Sequence, residues 1–238
     1  MIKKINTKFI KLIKYYNLIN HNLIYENEAI NRYKINSNLA VRGSKAKDLR
    51  ELKQLIANIK NCELKKNSKN IVFSDGNPNA KIMIVGEGPG ANEDLEGVPF
   101  IGRTGELLDK MLSSINLDRS NVYITNVVNY RPQENRNPTE EEITRYLPYL
   151  IKHIEIVDPK ILILLGSAAL NAVIGSDQVI SKVRGKWIDK KIGKCRTSVI
   201  ASFHPAFLMR QPDQKKMSWV DLKMIRKKIS DLEINIEK

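Results

Sequence analysis

Apolar residues follow two rhythms along this chain. In "RGSKAKDLRELKQLIANIKN", residues 42–61, Leu49, Leu52, Leu55, Ile56 and Ile59 share one helical face. That three-and-four step predicts an amphipathic helix packed on a core. After it the rhythm alternates. The short apolar runs "KIMIVG", "NVYITNVV", "KILILLG" and "TSVIASF" read as strands. The stretches "TGELLDKMLSSI", "PTEEEITRYLPYLIKHIEIV", "SAALNAVIG" and "SWVDLKMIRKKISDL" read as helices. Thr104 is the expected N-cap of the first, and Thr139 with Glu142 forms a capping box for the second. Strands that are apolar throughout and alternate with helices predict a mainly parallel sheet covered on both faces. The expected fold is therefore three-layer α/β/α around four strands. No repeat, low-complexity tract or Pro/Gly-rich linker divides residues 45–238, which read as one domain. Residues 1–44 read as a helical extension, with Phe9, Ile10, Leu12, Ile13 and Leu18 at loose helical spacing.

Composition narrows the class. The 238 residues are 42% hydrophobic, enough for a sizeable core. Forty Lys and Arg against 26 Asp and Glu leave a net charge of +14, which favours a polyanionic partner. The plain alternative is a generally Lys-, Ile- and Asn-rich composition. Two cysteines, Cys62 and Cys195, are too few for a disulfide framework or a four-cysteine metal site, and they fit a reducing compartment. No run reaches the ~18 uninterrupted apolar residues of a membrane span. The basic start "MIKKINTKFIKLIKYYNLIN" has its apolar runs broken by Lys, unlike a secretory signal.

The candidate chemistry sits at strand ends, where open α/β sheets bind ligands. "IVGEGPGANEDLEGVPFIG", residues 84–102, runs from a strand into Gly86-Glu87-Gly88-Pro89-Gly90. Gly-rich loops of this kind usually cradle phosphate. Here Glu87 would repel phosphate and no Gly-Lys-Ser/Thr follows, so a phosphate-binding enzyme is disfavoured. Asn126 ends the second strand, Gly166-Ser167 the third, and His204, before Pro205, the fourth. Each has a bland alternative: a helix cap for Glu87, a turn for Asn126, a core position for His204. A carboxylate, an amide and an imidazole meeting on one rim are harder to dismiss together.

These blocks resemble the family-4 uracil-DNA glycosylases. The resemblance runs from about residue 45 to 228 through "GEGPGANEDLEGVPFIGRTGELLDKML", "VYITNVVNYRPQENRNPTEEEI", "PKILILLGSAAL", "RGKW" and "HPAFLMRQPDQKKMSWVDLK", in the family's order. It implies a uracil-DNA glycosylase-like fold and a monofunctional DNA repair enzyme that hydrolyses the N-glycosidic bond of uracil. The loop of Gly86, Gly88, Pro89 and Gly90 would hold the flipped-out nucleotide. Glu87 would orient a water and stabilise positive charge on the sugar. Phe100 would stack on the base. Asn126 would read the uracil edge with its donor and acceptor. His204 would donate to the uracil oxygen that gains negative charge. Leu208, four residues on, would fill the gap left by the flipped base, or else pack on the core. Arg131, Arg136, Arg210, Lys215 and Lys216 are candidate phosphate contacts. The implied partner is uracil-containing DNA, single- or double-stranded, met by a monomer in bacterial cytoplasm on the nucleoid, without membrane. The alternative is a non-catalytic DNA-binding relative.

Two departures from the family pattern stand out. The family usually carries a four-cysteine iron–sulfur cluster, whose ligand positions fall here at Ile59, Cys62, Tyr130 and Tyr146. Only one is a cysteine, so no cluster and no other cofactor is expected. Gly88 also stands where the family more often has Ala, which is expected to loosen the loop and widen the pocket.

Overall fold

The computed structural model describes residues 45–175 and 178–236. The expected extension, residues 1–44, lies outside them. Helix α1 (Lys45–Ala57) buries Leu49, Leu52 and Ile56 as its spacing predicts. Leu55, however, is exposed, and Ile59 lies past the helix end. The buried stripe is only as wide as the contact with α5 (Glu140–Val157).

Six strands form one sheet: β1 (Asp75–Gly76), β2 (Ile82–Gly86), β3 (Tyr123–Asn126), β4 (Ile161–Leu165), β5 (Trp187–Ile192) and β6 (Cys195–Ser202). Their spatial order is β1-β3-β2-β4-β6-β5. The four expected strands, β3, β2, β4 and β6, run parallel. The sheet exceeds the expected four strands by β1 and β5, which pair antiparallel at its two edges. Neither carries a continuous apolar run. β1 is an Asp-Gly pair, and β5 reads Trp-Ile-Asp-Lys-Lys-Ile, with the charges that keep an edge from recruiting another strand.

The inner strands alternate their side chains between two cores. Met83, Val85, Tyr123, Leu162, Leu164 and Val199 face α1, α5 and α6 (Ser167–Val173). Ile82, Ile84, Ile124, Ile161, Ile163 and Ile200 face α4 (Gly102–Ser113) and α9 (Lys215–Asp231). Both faces are covered, which is why these strands are apolar throughout. Four short helices, α2 (Glu63–Lys66), α3 (Ala91–Glu96), α7 (Ile180–Val183) and α8 (Pro205–Arg210), and two 3-10 turns, Gln133–Asn135 and Pro212–Gln214, complete the described elements.

Of the two expected caps, one forms and one does not. At α5, the Glu142 amide donates to Thr139 Oγ1 at 3.2 Å, and the Thr139 amide donates to the Glu142 carboxylate at 2.8 Å. At α8, Pro205 takes the first position after His204. Thr104 is not the cap of α4, because that helix starts at Gly102 with Ile101 as its cap residue. Parallel pairing in register brings Gly86 opposite Asn126 and Leu165 opposite Ser202. The carboxyl ends of all four inner strands thus share one rim.

Candidate active site

A cavity of about 360 Å³ opens at that rim. Glu87, Gly88, Pro89, Gly90, Phe100, Asn126, Arg136, His204 and Arg210 line it, together with Glu93, Thr104, Asn135 and Phe207. Ten of the expected site residues are therefore on or beneath one surface; Gly86, the tenth, underlies it. A Cβ at Gly86 would stand 2.4 Å from Phe100 Cζ and 2.5 Å from Asn126 Oδ1. Only glycine lets the phenyl ring and the amide close over the strand end. The Phe100 ring in turn stacks on His204, with centroids 5.4 Å apart.

Asn126 is the most exacting of these groups. It is buried, and its Oδ1 has no hydrogen-bond partner within the protein. An orphaned buried acceptor costs about 1–3 kcal/mol, so such atoms in native proteins usually answer to a ligand or water. Here the acceptor belongs to a residue that lines the same cavity as Phe100 and His204.

His204 is fixed in one tautomer. Its Nδ1 accepts from the Ala206 amide at 3.2 Å, so the ring proton sits on Nε2. Burial, with Arg210 adding to it, lowers the imidazole pKa to about 4. The ring is neutral at physiological pH and keeps an N–H donor. Burial raises the carboxyl of Glu87, and the Arg210 guanidinium opposes the rise. Arg210, the last residue of helix α8, lines the cavity with both groups.

The family model for the uracil DNA glycosylase superfamily matches residues 73–226. The chain belongs to that superfamily. Curated relatives are similar to it over most of its length. The type-4 uracil-DNA glycosylase of Sulfurisphaera tokodaii is 40% identical over 183 residues, 75% of this chain and 83% of that one. That of Pyrobaculum aerophilum is 40% identical over 181 residues, covering 74% and 92%. That of Thermotoga maritima is 44% identical over 150 residues, covering 63% and 77%.

Within this glycosylase fold, several expected roles change. Leu208 is 1% exposed and packs in the core with Ile200, Phe203 and Leu222. In this structure it takes the core position, the other of its two expected places. The half-buried neighbour Phe207 lines the cavity instead, tilted against Phe203 with centroids 4.8 Å apart. Arg136 is on the cavity wall, but Glu142 holds both its Nη atoms, at 2.8 and 2.7 Å. Arg131 donates to Asn135 Oδ1 at 2.9 Å and lies off the cavity lining. Lys215 and Lys216 are exposed at the start of α9. Gly88 does not widen the pocket: a Cβ there would stand 2.8 Å from Val128 Cγ2, so Val128 fills the space an Ala methyl would need. Arg184, from the "RGKW" block, gains a role that its sequence did not reveal. It pairs with buried Asp221, which accepts from Ser202 Oγ at 2.7 Å and so ties down the end of β6 before His204.

The four positions matched to cluster ligands do not form a thiolate cage. Cys62, Tyr130 and Tyr146 are buried in one apolar cluster, with Ile59 packed against it. Cys62 Sγ and the Tyr146 hydroxyl share a hydrogen bond at 3.4 Å. Cys195 is buried elsewhere, near the Ile154 and Glu155 carbonyls at 3.7 Å, and burial pushes its thiol up to about 12. One thiol with two phenols and an isoleucine is the wrong donor set for iron and sulfide. Among the described residues, no group of three or more His, Cys, Asp and Glu could hold a metal ion. No described helix is long and apolar enough to cross a membrane.

Proposed function

We propose that this protein releases uracil from DNA by hydrolysing the N-glycosidic bond, leaving free uracil and an abasic site. The observation that carries the reading is the unpartnered Oδ1 of Asn126, a residue that lines the cavity. The N3–H of uracil is the donor it lacks, and the amide nitrogen of the same side chain donates to O4. Cytosine presents an acceptor at N3 and a donor at position 4, so acceptor would face acceptor and donor would face donor. Phe100 stacks on the base. As the bond from N1 to the sugar breaks, its electrons move onto the base. His204 Nε2–H donates to the oxygen that receives the charge. The Glu87 carboxylate faces the cationic sugar and orients the water that completes the hydrolysis. Arg210 and the overall charge of +14 favour the phosphate backbone. The protein works as a monomer on cytoplasmic DNA, with residues 45–238 as its catalytic domain.

The test is uracil release by purified protein from a single-stranded uracil oligonucleotide, and from U·A and U·G duplexes. His204→Ala should cut the single-turnover rate by about a hundred- to a thousandfold and leave DNA affinity nearly unchanged. Equal losses of binding and excision would make His204 a backbone contact or a structural residue. DNA binding without any uracil release by the unaltered protein would favour the non-catalytic relative.

A further inference from the structure

Phe100 has a backbone that phenylalanine rarely adopts, with φ of +54°. Two features outside the cavity hold it there. Arg119, in the turn between α4 and β3, donates from Nη2 to the Phe100 carbonyl and from Nη1 to the Pro99 carbonyl at 3.2 Å. The guanidinium is itself fixed by Asp75 at 2.6 Å and Asp109 at 2.9 Å. Gly105, in the first turn of α4, supplies the room. A Cβ on it would stand 1.8 Å from the Phe100 carbonyl oxygen. The carbonyl is thus trapped between bare helix backbone and a guanidinium oriented by two carboxylates. That trap aims the phenyl ring across Gly86 and onto His204.

We propose that Arg119 is a positioning residue for base recognition, acting only through the Phe100 backbone to set the ring as a platform. The inference rests on the reading of the cavity as a uracil pocket. A lysine is a poor substitute, because an ammonium lacks the planar fork that reaches carboxylates and carbonyls together.

The test is a mutant cycle read by single-turnover uracil excision from single-stranded DNA. Phe100→Ala should lower the rate by about tenfold or more, the scale of a lost base stack. Arg119→Met should lower it by about five- to tenfold, and adding it to Phe100→Ala should cost nothing further. Affinity for undamaged DNA should not change in any variant. Losses that multiply in the double variant would overturn the proposal, since Arg119 would then act by another route. If Arg119→Met does not fold, Arg119→Lys enters the same cycle with the same expectation of non-additivity. Amide hydrogen exchange provides a readout that needs no activity. Arg119→Met should speed exchange in residues 98–105 while α5 stays protected, and unchanged exchange there would overturn the clamp. A failure of the unaltered protein to excise uracil would instead refute the functional reading, and exchange would still judge the clamp.

Discussion

His204 carries its single ring proton on the nitrogen that faces the cavity, because the backbone of its own helix claims the other. Neutrality matters as much as tautomer: a neutral donor strengthens its bond as charge grows on the base, without first attracting the DNA phosphates. Arg210 helps to hold that state, since a nearby cation disfavours a second one, and it also favours the anionic form of Glu87. Removing it should let both pKa values rise. The acid limb of the single-turnover rate, taken at saturating DNA, should therefore move toward neutral pH in Arg210→Ala. The same variant should flatten the salt dependence of DNA binding by about one unit of slope, the signature of one lost phosphate contact. An acid limb that stays in place would put Arg210 outside electrostatic reach of both groups. Glu87, Asn126 and His204 were legible in the sequence because each ends an apolar run, and such ends gather on one rim. Thr104 was not, because its place on the cavity depends on how the intervening chain folds back.

Helix α8 shows how one residue of phase decides between core and cavity. Neighbours on a helix point about 100° apart, and here Phe207 lines the cavity while Leu208 turns into the core. The fold gives the inward direction to Leu208. Leu208→Ala should lower stability by about 2–5 kcal/mol in chemical denaturation, and leave the excision rate per folded molecule unchanged. Phe207→Ala should do the reverse. It should slow excision from duplex DNA more than from single strands, since only the duplex must be unpaired. Equal slowing on both substrates would remove Phe207 from any part in flipping. The signal in the sequence was the spacing of His204, Phe207 and Arg210, three residues apart on one face, with Leu208 off it. The cluster positions pose a related problem of volume. Cys62, the residue just before α2, is bonded to Tyr146 of α5, so a side-chain contact joins elements that four thiolates would otherwise tie through iron. Protein purified anaerobically should lack the visible absorbance of an iron–sulfur centre and contain far less than stoichiometric iron. Tyr146→Phe should cost about 0.5–1.5 kcal/mol, the worth of one buried hydrogen bond. Stoichiometric iron and sulfide would refute this account of the site.

Across the whole molecule, the chain combines a surplus of positive charge with two imidazoles that the fold keeps uncharged. His153 is enclosed between Phe73 and Tyr123, whose hydroxyl lies 2.7 Å from Nε2, and burial lowers its pKa to about 3. His204 is lowered to about 4 by burial and Arg210. Both values lie below the ordinary 6.5 of an unfolded chain. As pH falls through 6.5, the unfolded chain takes up protons that the folded protein refuses, so stability is full above that pH and declines below it. Glu87 and Asp221 work in the opposite sense. Burial raises their carboxyls, so the folded state takes up their protons first and regains some stability at more acid pH. The histidines lower stability from pH 6.5 downward, and the raised carboxyls of Glu87 and Asp221 offset part of that decline. Between pH 6.5 and about 5 the unfolding free energy from urea titration should fall, by at most on the order of 2 kcal/mol for each imidazole. His153→Gln, which can still meet the Tyr123 hydroxyl, should remove about half of the decline while leaving excision near pH 8 intact, because residue 153 lies away from the cavity. A decline of the same size in His153→Gln would mean that the buried imidazole does not set the acid sensitivity of the fold, and that repulsion among the 40 Lys and Arg must be its source.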